Sequence, residues 1–257
     1  MSAGSLSAAS TRPRAPRGGI DALGAPGSSA ITFYKGGQFL PASVLARERS
    51  VAAAAYPHLE REFGGDLQYH RSVYHLLAQV KGLDNVTTDL APGKVEDRLI
   101  RTLRSYYSRA FLLGKRMAGD LTHITGPQGK ALTRIRRDEY TYLRRFLKDI
   151  EAKAGKMDYE KRMDFYRHAL REALWSGFVL GDTRPGRKLY WHFGNSVEHC
   201  THCAGMEKRK EGIPIEEFIT RHIPEGIVPQ SGALECHGLQ CECWLSDDPK
   251  GGRIVEL

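Results

Sequence analysis

The chain carries five cysteines, none of them in its first 199 residues: Cys200-Thr-His-Cys203, then Cys236-His-Gly-Leu-Gln-Cys241-Glu-Cys243. Thiols spaced Cys-x-x-Cys can chelate one ion from a tight turn, and a second cluster some thirty residues on can close a tetrahedral site around it. Cys200 and Cys203 are the firmest ligand candidates. Cys236, Cys241 and Cys243 compete for the remaining two positions, and His237 could replace one of them. A four-coordinate zinc site therefore leaves one thiol in surplus. A stretch of about sixty residues with few large aliphatics buries too little apolar surface to hold itself together, so a structural metal would stabilise it directly.

The rest of the chain has the material for a core of its own. Apolar residues make up 41% of the 257, and no run approaches the eighteen needed to span a bilayer. Met1 to Ala30 is rich in Ser, Ala, Gly and Pro and lacks the apolar stretch of an export signal, so it reads as a disordered arm. An odd cysteine count without such a signal points to folding in a reducing cytoplasm. Ile31 to Pro41 sets two short apolar runs around Gly36-Gly37, the pattern of a β-hairpin. Ser43 caps a helix to about Ala55 with a boundary at Pro57, and a second short helix covers Leu67 to Val80.

Three longer periodic sets follow. Leu99, Leu103, Tyr106, Ala110, Leu113 and Met117 share one helical face, as do Leu132, Ile135, Leu143, Phe146, Leu147 and Ile150, and then Met163, Tyr166, Leu170, Ala173, Leu174 and Gly177. Gly119 to Gly129 is expected to interrupt the first two, Gly155 to end the second and Asp158 to cap the third. Leu189 to Phe193 is an aromatic strand that delivers the chain to the first cysteine pair. The expected architecture is mainly α within the α+β class. It comprises an elongated helical bundle, an N-terminal β-hairpin and a small C-terminal Cys-rich, metal-stabilised α/β module. The divisions are a disordered arm (1–30), the hairpin and short helices (31–93), a basic long-helix region (94–181) and a zinc-knuckle-like module (182–257).

Charge is unevenly distributed. The net formal charge is +8, yet Lys94 to Glu172 holds 20 Lys and Arg against 11 Asp and Glu, whereas Ser196 to Leu257 holds 6 against 11. A basic helical stretch suits an anionic partner, but Arg and Lys also decorate solvated helix faces without any ligand. No helix-turn-helix spacing or RNA-recognition aromatic signature is present, so contact with DNA would be to phosphates.

Four features in order, Arg162 to Gly177 with Tyr166 and Trp175, Tyr190-Trp191-His-Phe-Gly194, Glu198-His199-Cys200 with Cys203, and Cys236-x4-Cys241-x-Cys243, resemble the head-morphogenesis family of tailed bacteriophages, the Mu F-like minor head proteins. The resemblance covers roughly Arg162 to Leu245. It implies a non-enzymatic virion protein, assembled in the host cytoplasm and acting near the portal in head morphogenesis and DNA packaging. The implied partners are portal and major capsid proteins in a symmetric assembly, with non-specific contact to packaged DNA and none to membrane.

Two other classes compete with that reading. In a zinc-containing HNH-like nuclease, His222 would activate water, but Arg221 stands where a metal-binding carboxylate is expected. A cellular zinc-knuckle protein that grips nucleic acid should be basic around its cysteines, and this module is acidic. His199 and His202 are either alternative ligands or solvent-facing. His168 and His192 read as packed side chains. Gly126-Pro-Gln-Gly129 lacks the Lys and Ser or Thr of a phosphate-binding loop.

Overall fold

The computed structural model describes residues 42–79, 92–153, 159–182, 186–195, 198–238 and 241–251. The expected arm and β-hairpin lie outside them. Of the described residues 68% are helical, so the chain is mainly α with a small antiparallel sheet. Four long helices come first: α1 (Ala42–Gln79), α2 (Pro92–Ala118), α3 (Gly126–Lys153) and α4 (Tyr159–Gly181). Strand β1 (Lys188–His192), helix α5 (Thr201–Glu207) and strand β2 (Ile213–Pro214) follow. Next come short turns α6 (Ile215–Glu217) and α7 (Ile223–Glu225) either side of a π-helical turn (Phe218–His222), and last β3 (Trp244–Ser246).

The chain does not break at Pro57, and the two short helices read from sequence are one. Pro57 lies inside α1, where it removes the hydrogen bond to the carbonyl of Ala53 at a cost of about 3 kcal/mol. Packing overrides that cost. Ala52, Tyr56, Leu59, Phe63, Leu67, His70 and Val73, spaced by three and four, form one unbroken buried stripe. Phe63 meets Tyr106 with ring centroids 4.9 Å apart, and the Tyr106 hydroxyl donates to Asp66 at 2.8 Å. The α3 start also differs: the helix begins at Gly126, with Pro127 in the first turn, where its missing N–H costs nothing.

Helices α2 and α4 meet backbone to backbone. A Cβ on Gly177 would lie 2.1 Å from the carbonyl oxygen of Phe111, and one on Gly114 would lie 1.9 Å from that of Leu174. Only glycine at both positions permits this approach. Around the crossing, Tyr107, Phe111, Trp175 and Phe178 are fully buried.

Much of the basic charge of the middle region is matched within the bundle. Arg109 pairs with Glu62 at 2.8 Å, Arg171 with Glu60 at 2.8 Å, Arg134 with Glu172 at 2.5 Å, and Arg116 with Glu48. Lys115 is 1% exposed. Its ammonium donates to the carbonyls of Thr122 and His123 at 3.0 and 3.1 Å and to Gln128 Oε1 at 2.8 Å, and it pairs with Asp120 at 3.2 Å. Gln128 in turn donates to Asp120 and to the Leu180 carbonyl. This satisfied polar hub ties the α2–α3 loop to the end of α4. Burial pushes the Asp120 carboxyl up, but hydrogen bonds from Thr122 and Gln128 and the Lys115 charge outweigh it and bring the group below its ordinary value.

The sheet has the order β2-β1-β3, antiparallel throughout, with Leu189 opposite Ile213 and Trp191 opposite Leu245. It joins the bundle through charge. Arg49 of α1 holds Asp247 bidentately at 3.0 and 2.8 Å, and Arg187 bridges the same carboxylate to Asp182 at the end of α4, at 2.6 Å from the latter.

Two substitutions test this packing by chemical denaturation. Gly177→Ala should destabilise the protein by about 1–3 kcal/mol, the typical cost of overpacking, because Phe111 backbone cannot yield cheaply. Lys115→Met should cost about 3–5 kcal/mol by stranding Asp120 and Gln128. A loss under 0.5 kcal/mol at either position would contradict the packing described.

Candidate metal centre

The cysteine cluster is built where β1, α5 and the approach to β3 converge. Residues Phe193 and Gly194 continue β1, and the register that sets His192 opposite Trp244 brings the Cys241–Cys243 segment alongside them. The approach is close: a Cβ on Gly194 would fall 2.1 Å from that of Glu242, so a side chain there would push the segment away. Cys200 is the N-cap of α5, and its Sγ accepts from the Cys203 N–H at 3.5 Å. Cys203 therefore sits in the first turn of α5, facing inward. The turn carrying Cys236 is fixed to α5 from outside, the Glu235 carboxylate accepting from Thr201 N at 2.9 Å and the Glu235 N–H donating to His202 Nδ1 at 3.1 Å. Buried Gln230 donates to the Cys243 carbonyl at 3.0 Å.

All five thiols are free and gathered, in two overlapping groups. The sulfurs of Cys200, Cys203 and Cys236 lie within 4.8 Å of one another, and so do those of Cys203, Cys241 and Cys243. Cys203 belongs to both. Cys203, Cys241 and Cys243 are buried, whereas Cys200 and Cys236 are half-buried. Cys203 Sγ is 3.7 Å from Cys241 Sγ, close to the ~3.8 Å edge of a tetrahedron with metal–sulfur bonds of about 2.3 Å.

The sequence-level alternatives fall outside these groups. His237 is exposed and turns its Nδ1 to the Gly232 carbonyl at 3.2 Å. His202 is exposed with Nδ1 accepting from Glu235. His199 is half-buried, stacked on Phe193 with centroids 3.8 Å apart and an interplanar angle of 8°, and its Nδ1 lies 3.8 Å from Cys243 Sγ. His192 is packed, bonded to Ser246 at 2.9 Å and stacked on Trp244.

The electrostatics allow these sulfurs to ionise together only if a cation joins them. Hydrogen bonds from Cys203 and Cys241 hold the Cys243 thiol down to about 3 against the effect of burial. The neighbouring sulfurs Cys241 and Cys243 push Cys203 far up, and burial, aided by Cys241 and Cys200, pushes Cys236 up to about 12. Thiolates this close cannot ionise together unless positive charge joins them. Donors that are all sulfur, with one imidazole at hand, suit a thiophilic divalent ion such as zinc rather than magnesium or calcium.

His222 stands apart from this cluster in the π-helical turn. It is buried, its Nε2 lies 3.4 Å from Glu217 Oε1, and burial lowers its pKa against the pull of Glu217. Glu217 is itself held bidentately by Arg209 at 2.5 and 2.8 Å. His222, His202, Met206, Arg221 and Glu225 line a pocket of about 280 Å³. The sequence pattern signalled neither the π turn nor this pocket.

Comparison with protein-family models, with curated proteins and with solved structures finds no match.

A metal-free chain should lose order locally. After removal of metal with a chelator under reducing conditions, amide exchange should speed up over 188–246 while α2 and α4, which have their own buried faces, stay protected. Exchange unchanged throughout would mean that no metal holds this module.

Proposed function

We propose that this chain is a minor head, portal-proximal structural protein of a tailed phage. In this reading its C-terminal module is a docking element stapled by zinc. The observation that carries the structural over the catalytic reading is the make-up of the cluster. Its grouped ligand atoms are all cysteine sulfurs, three of the five cysteines are buried, and no carboxylate joins them. Cysteine-dominated zinc sites are structural, whereas catalytic zinc is typically held by histidine and carboxylate or by Cys2His sets. The family likeness of the Trp191 strand and the cysteine spacing supplies the setting, head morphogenesis and packaging of DNA, with portal or major capsid proteins as partners.

The alternatives fit the details less well. For an HNH-like nuclease the activating His222 should face a metal-binding acid, yet Glu217, the carboxylate beside it, is engaged by Arg209. For a nucleic-acid-gripping knuckle, the basic run beside the cysteines should be free, but Arg209 pairs with Glu217 and Lys210 with Glu207. Contact with packaged DNA falls instead to Arg101, Arg104, Lys130, Arg145 and Lys148. These are basic positions of α2 and α3 without an ion pair among the described residues, and their contact would be sensitive to salt.

Fractionation of a producing lysate tests the reading. The chain should co-sediment with mature particles and cross-link to the portal. Its confinement to the soluble fraction, together with divalent-ion-dependent cleavage of DNA, would replace this reading with the nuclease.

A further inference from the structure

We infer that the five cysteines hold two metal ions bridged by the Cys203 thiolate, rather than one ion with a thiol to spare. The inference rests on the zinc reading above and extends it. A single tetrahedral site needs four donors mutually close, at about 3.8 Å for sulfur. No four of the five sulfurs lie within 4.8 Å of one another; they form two triplets sharing only Cys203. A one-metal site would have to abandon either Cys200 and Cys236 or Cys241 and Cys243, or pull the α5 turn and the β3 approach together. The latter is resisted by their anchors, Glu235 on Thr201 and Gln230 on the Cys243 carbonyl.

Contacts around the sulfurs separate a terminal from a bridging position. Cys200 Sγ accepts from the Cys203 N–H at 3.5 Å, a donor that stabilises charge left on a terminal thiolate. Cys203 Sγ instead faces Cys241 Sγ at 3.7 Å and belongs to both triplets. A bridging thiolate shares its charge between two cations and has least need of such donors. His199, stacked on Phe193 with its Nδ1 3.8 Å from Cys243 Sγ but outside both triplets, would have to move inward to complete the inner shell. The outer shell, on half-buried Cys200 and Cys236, is left to take water. The surplus thiol of the sequence thereby acquires a role: five cysteines and one histidine serve two ions through a shared ligand.

The experiment is metal titration of the full chain, purified reduced, stripped and reloaded with Zn(II), then with Co(II). About two zinc ions per folded chain are expected, and the cobalt EPR signal should grow to half-loading and then fall as a second ion couples to the first through sulfur. Cys236→Ser should reduce the stoichiometry to about one, and Cys203→Ser should abolish tight binding. The helical circular dichroism of each variant checks that the bundle remains folded. About one zinc in the wild-type chain, unchanged in Cys236→Ser, would overturn the bridge while leaving the structural zinc intact. A cobalt signal that doubles with the second ion would also overturn it, by showing separate sites. No zinc at all would overturn both readings.

Discussion

The mutual approach of five sulfurs ties together the short segments C-terminal to the helices. The sheet there has strands of five, two and three residues, and the helical turns beside it are short. Such elements nucleate poorly alone and are held by burial of Leu189, Ile213, Phe218, Val228 and Leu245 in the shared core. The start of α5, the Cys236 turn and the approach to β3 each contribute sulfurs to one cluster, three of whose five thiols are buried. Trp191 and Leu245 belong to the same buried core as Cys203, Cys241 and Cys243. Thiols at this density repel one another when ionised, so the same cluster is also able to hold a cation.

The helical part is stabilised differently. The α2–α4 contact is a backbone-level crossing made possible by glycine, and the Lys115 hub fastens the connecting loop to it. The charge bridges from Arg49 and Arg187 to Asp247 carry that frame across to the sheet. Both halves share one continuous apolar core, so the frame holds the cysteine module in a fixed orientation. Among the described residues no helix is long and apolar enough to cross a membrane.

The periodic stripes of α2 and of α3 as far as Leu143 were legible because each buries one face whose spacing survives in the sequence, whereas α4 is buried on every side from Glu172 to Gly181. Strand β1 was legible from its aromatic run. Pro57 misled because local propensity argues for a break, whereas Tyr56, Leu59 and Phe63 continue the buried stripe through it. Lys115 could not be singled out, since a lysine in a basic amphipathic helix reads as solvated; its burial depends on carbonyls and a glutamine from elsewhere. The cysteines announced a cluster able to hold metal, but not their grouping. That follows from the close pass of Gly194 by Glu242 and from the anchoring of the Cys236 turn on α5, contacts between segments about forty residues apart. The π turn at His222 likewise has no periodic signature.

The central claim is that sulfur-bound metal organises the C-terminal module. Zinc-edge X-ray absorption on the purified full chain measures that ligand shell directly. The account predicts a first shell dominated by sulfur at about 2.3 Å, with at most a minor nitrogen or oxygen contribution. A shell of nitrogen and oxygen alone, at about 2.0–2.1 Å, would place any bound zinc away from the cysteines and contradict it.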